Sequence, residues 1–154
     1  MKNHRLFDKI DISFLNPYDK GIDLQNVKKE IEKMIPASLF SEIDIIYVGK
    51  FDFLDDDHLN SKFMDNAIYL SNSAYYDSDV VFDIVSGLAE SIEKKYMHLF
   101  YNNEDIVREL KQYLEDEGLI NAVCDFFIED RILMKEKMPA LSGVLEEIIE
   151  YGSC

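Results

Sequence analysis

The stretch that most constrains this chain is Asp77–Tyr101, DSDVVFDIVSGLAESIEKKYMHLFY. Val81, Val85, Leu88, Ile92, Tyr96 and Leu99 recur at steps of three and four, which places them on one face of a helix. Ile84 and Ala89 widen that face, so the spacing predicts burial on two sides. Asp77 and Ser78 are suited to N-cap the helix, Asp79 adds negative charge at the positive end of its dipole, and Asn102 and Asn103 close it. A helix of this length spans roughly 30 Å, enough to cross a small domain. Gly87 sits in its interior, where a glycine costs about 1 kcal/mol relative to alanine. Its presence implies close packing against a neighbouring element.

The remaining elements follow from the same kind of pattern. Leu6, Ile10, Ile12 and Phe14 line one side of a strand around Lys9–Leu15, which Asn16-Pro17 stops. Asp23 caps a helix carrying Leu24, Val27, Ile31 and Met34, ended by Pro36. The run Ile43, Ile45, Ile46, Tyr47, Val48 lacks clean alternation and predicts a central strand covered on both faces, with a second short strand at Phe51–Leu54. Ala67–Leu70 is the next strand, and Asn72–Asp77 links it to the long helix. Three further helices are expected: from Asn103 to Glu117, from Leu119 to Lys137, and from Leu141 to just before Gly152. Phe126 and Ile128 lie off the apolar stripe of the second, which is therefore buried twice or presents an aromatic patch.

At 154 residues the chain is read as one domain, 1–154, with a core of its own. Its net charge of −15 is unevenly spread. Before Ala37, seven Lys and Arg stand against six Asp and Glu; from Ala37 onward, nine stand against twenty-five. Direct contact with nucleic acid is not expected, because phosphates require clustered Lys and Arg. The acidic surface is either a solubilising feature or a face that docks on a basic protein, in the extreme by imitating DNA. No apolar run reaches membrane-spanning length, and no apolar region follows the basic Met1–Arg5, so neither a membrane span nor a secretory signal is expected.

Candidate chemistry is sparse. Asp55-Asp56-Asp57-His58 suggests a metal loop, but Asn60 stands where an EF-hand requires glycine, and the segment reads as a solvated acidic loop. His4 and His98 are isolated, and Cys124 and Cys154 fit no metal motif or disulfide scaffold. They read as one half-buried and one free thiol in a reducing cytoplasm. No GxSxG or P-loop is present.

The segment Asn66–Tyr96 resembles a phage-associated group of zincin-like metallopeptidases, in which a strand "aIYxsN" leads through an acidic linker into "DDIVHExAHSxE". The matching residues are AIYLSN at Ala67–Asn72, FDIV at Phe82–Val85 and LAESIE at Leu88–Glu93. The zinc-binding residues are replaced. Ser86 and Glu90 stand where the two histidines of HExxH belong, and Gly87 stands in place of the catalytic glutamate. Glu109 falls where the resemblance places a further ligand, on the next helix. HExxH works because two imidazoles one turn apart share a zinc ion while the intervening glutamate takes a proton from bound water. Serine is a poor ligand, glycine cannot act as a base, and two carboxylates fall short of the three protein ligands of a catalytic zinc.

The resemblance therefore implies an α+β fold, a small mixed sheet against several helices in a minimal zincin-like topology, without catalytic residues, metal or cofactor. The role it implies is that of a structural or docking protein, associated with a virion or its assembly, in the host cytoplasm or the particle. Partners are expected to be virion or host proteins. In zincin folds the strand corresponding to Ala67, Ile68, Tyr69 and Leu70 is the edge along which a peptide pairs, so these four are the expected partner-binding residues. The alternative is a small acidic inhibitor of a host nucleic-acid-binding or defence protein. A third reading is a hydrolase built unconventionally on Glu90, Glu93 and Glu109.

Overall fold

The computed structural model describes residues 4–113 and 118–151. Five strands form one mixed sheet: β1 (His4–Leu6), β2 (Ile10–Phe14), β3 (Ile45–Gly49), β4 (Ser61–Met64) and β5 (Ala67–Ser71), in the spatial order β1-β2-β3-β5-β4. β2, β3 and β5 run parallel at the centre, and β1 and β4 pair antiparallel at the two edges. The helices are α1 (Leu24–Met34), α2 (Asp52–Asp56), α3 (Asp77–Lys95), α4 (Met97–Tyr101), α5 (Glu104–Tyr113), α6 (Leu119–Ile128), α7 (Arg131–Lys137) and α8 (Pro139–Tyr151). This is an α+β architecture, as the patterning predicts.

The central strands bury Ile46, Val48, Ile68 and Leu70 on one face of the sheet, where Ile68 meets Gly87 of α3. The opposite sheet face is only partly covered. There Tyr47 and Tyr69 are cross-strand partners with ring centroids 5.3 Å apart, and Phe51 and Phe53 pack beside them. β3 is thus central in order but not covered equally on its two faces. The C-terminal helices belong to the same core: Phe126, Leu141 and Leu145 cluster with Ile84, Leu88 and Ile92 of α3.

Several boundaries differ from the sequence expectation. The long helix breaks at Tyr96 into α3 and α4. Tyr76, not Asp77 or Ser78, is the N-cap, with its amide donating to the Asp79 carboxylate at 3.0 Å. Asp77 instead accepts from the Asp23 amide and the Asn26 side chain, tying the start of α3 to the start of α1. Phe51–Leu54 opens the short helix α2 and is not a strand. The expected helix Leu119–Lys137 divides where Asp130 caps α7. The expected extension of α5 to Glu117 lies beyond its described end. Strand β4 had no counterpart in the sequence reading. It returns to β5 through Asp65 and Asn66, both at positive φ (52° and 61°), the backbone of a two-residue type I′ hairpin.

This hairpin corrects the expected peptide-pairing edge. Ala67, Ile68, Tyr69 and Leu70 are bonded to β3 on one side and to β4 on the other. A strand with both backbone edges paired has none left to offer an added peptide. The free edge on this side belongs to β4.

Candidate functional site

Residues three, four and three apart on a helix share a face, and Asp83, Ser86, Glu90 and Glu93 form such a row along α3. The row forms one wall of a cleft of about 410 Å³. Leu59, Asn60 and Ser61 at the start of β4 make a second wall. Tyr101 of α4 and Gly118–Asn121 at the start of α6 complete it.

Ser86 and Glu90, which the resemblance sets at two ligand positions, therefore meet in one cleft. Gly87 does not join them; it faces the sheet. A Cβ added there would stand 2.6 Å from Cγ2 of Ile68, so the absence of a side chain lets α3 approach β5 closely. The glycine interpreted from sequence as a packing residue is one, and Ile68 is the residue it accommodates.

Glu90 is committed to the scaffold. Its Oε2 accepts the Phe63 amide of β4 at 3.1 Å. Burial raises its pKa, with the Phe63 hydrogen bond and the charge of Lys62 acting against that rise. Ser86 lies beside the thiol of Cys124 on α6 and acts to lower its pKa. Burial pushes that thiol up to about 12, with the Asp125 and Glu90 charges adding to the rise. Cys124 stays protonated at neutral pH and is neither a good nucleophile nor a good metal ligand. Glu93 Oε2 accepts the Tyr101 hydroxyl at 2.7 Å. Burial, and then that bond, raises the Tyr101 pKa to about 12.

Glu109 is not part of the cleft. Its two carboxylate oxygens accept the amides of Ala140 and Leu141 at 2.8 and 3.0 Å. These are among the amides that the first turn of α8 leaves without intrahelical partners. Glu109 caps a neighbouring helix, and the trio Glu90, Glu93 and Glu109 is not assembled. Among the described residues, no three His, Cys, Asp or Glu side chains come together as a metal site. Among the described residues, too, no helix is long and apolar enough to cross a membrane.

The sequence reading passed over one cleft residue. Asp83 is 8% exposed, and burial, followed by the nearby charge of Asp79, raises its pKa to about 7. The clue lay in its position three residues before Ser86, on the same face as Glu90. The arrangement has one wall rich in carboxylates, no imidazole and no activated nucleophile, so it is chemically suited to holding positive charge. No protein-family model matches the chain, and no curated protein or solved structure does either.

Proposed function

We propose that the chain is a non-catalytic docking domain on a zincin-like scaffold, serving in a virion or its assembly as the resemblance of Asn66–Tyr96 implies. The observation that carries this reading is the use made of the three degenerate positions. Gly87 packs on Ile68, Glu90 holds the Phe63 amide, and Ser86 lies beside the buried thiol of Cys124. Side chains in these roles brace the fold, and none of the three positions carries an imidazole. The test is elemental analysis after saturation with zinc and dialysis. Zinc far below one equivalent per chain is expected. One equivalent, lost on Glu90→Gln, would overturn the reading.

The charge asymmetry favours a second reading, an acidic inhibitor of a basic host protein. Its mark would be salt-sensitive competition with DNA for that protein.

A further inference from the structure

Asp83 is a largely buried carboxylate that borders the cleft and has no counter-charge among the described residues. It stands in the middle of α3, where it caps no helix end. It is 8% exposed and lines the cleft. Among the described residues no hydrogen bond or ion pair reaches it. The neighbouring charge of Asp79 is of the wrong sign and raises its pKa. A buried carboxylate without a counter-charge is costly, and a cleft that contains one is a candidate site for the missing cation.

We propose that this cleft receives an arginine side chain of a partner protein, with Asp83 as the buried counter-charge to its guanidinium. The proposal rests on the docking reading above and gives it a site. The cleft walls supply the rest of the match. Phe82 and Tyr101, 44% and 46% exposed, offer rings, while Leu59, 38% exposed, supplies apolar surface for the side-chain stem. A guanidinium stacks on aromatic faces, is weakly hydrated, and meets a carboxylate with two parallel hydrogen bonds. Glu90 and Glu93 each have one oxygen engaged within the fold, at Phe63 and at Tyr101, which leaves a second oxygen on each. The net charge of −15 draws a basic partner toward the surface from a distance. A metal ion is the weaker match, because no three ligands converge there among the described residues.

The experiment is an NMR titration of the full chain at fixed ionic strength with the blocked peptide Gly-Ser-Arg-Ser-Gly, and with the same peptide carrying citrulline in place of arginine. Citrulline keeps the shape and removes the charge. Saturable amide shifts at Ser86, Glu90 and Asn121 are expected with arginine only. Asp83→Asn is expected to weaken binding about tenfold or more. Phe82→Ala, which removes an exposed ring and leaves the core intact, is expected to weaken it about threefold. Equal binding of the citrulline peptide, unchanged affinity in both variants, or no saturable shift would overturn the proposal. Zinc chloride added to the same sample tests the underlying docking reading separately. Shifts at Ser86 and Glu90 that saturate at one equivalent of zinc count against that reading, whatever the peptide does.

Discussion

The two sides of α3 have opposite characters. The side toward the sheet is dry and tightly fitted, with Gly87 pressed on Ile68 and Ile84, Val85 and Leu88 buried around it. The side toward α6 and β4 carries Asp83, Ser86, Glu90 and Glu93, and a cleft remains open beside them. Shape specificity holds the first side in place, where even one added methyl is felt. The second side is electrostatically unfinished: two of its acids take up protons more readily than usual, and one has no partner among the described residues.

The contrast breaks first at Gly87. Gly87→Val places a branched side chain where even a Cβ lies 2.6 Å from Ile68, and is expected to cost about 3–5 kcal/mol in denaturant unfolding. Ile68→Ala in the same chain should recover at least about 1 kcal/mol of that cost, as a double-mutant cycle would measure. Strict additivity would show that the two residues do not compete for the same space.

Asp83 is expected to give a change of opposite sign. The unfolded carboxylate titrates near 4, whereas the folded one holds its proton up to about 7. The folded state thus binds the proton more tightly, and stability falls as pH climbs through that window. Asp83→Asn removes the loss. At pH 8 the variant should be more stable than the native protein by about 2–4 kcal/mol, and near pH 4 the two should nearly coincide. A destabilised variant at pH 8 would mean that Asp83 has a partner in the folded chain.

The smallest effect belongs to a residue that the resemblance placed at the site and the fold uses elsewhere. Glu109→Ala should cost about 1–2 kcal/mol by uncapping α8. The Ala140 and Leu141 amides should lose hydrogen-exchange protection while those lining the cleft keep theirs. Loss of protection at Ser86 and Glu90 would instead tie Glu109 to the cleft.

Much of the architecture was legible where periodicity is strong. The steps of α3 and the β-branched run of β3 announce themselves, and Gly87 announced its own packing role. Strand β4 was harder to see because Ser61-Lys62-Phe63-Met64 contains no β-branched residue. Asp65-Asn66, residues that tolerate positive φ, was the available clue to a hairpin. Phe51 and Phe53 alternate like strand residues, yet their segment turns into α2 and both rings pack on Tyr69. The division of α6 from α7 was readable from Asp130, a good N-cap inside an apolar run. The cleft was half legible. Helical spacing brings Ser86 and Glu90 together, but only tertiary structure shows that Glu109 is turned toward α8 and that Asp83 has no counter-charge among the described residues.

The bond from Glu90 to the Phe63 amide has a consequence for the molecule at high concentration. β4 is a sheet boundary, and an outward-facing amide on such a strand invites another copy to stack on and propagate. The carboxylate of α3 fills that position from within the same chain. Glu90 thereby occupies one donor of the exposed edge, which leaves that edge one fewer free amide for edge-to-edge pairing.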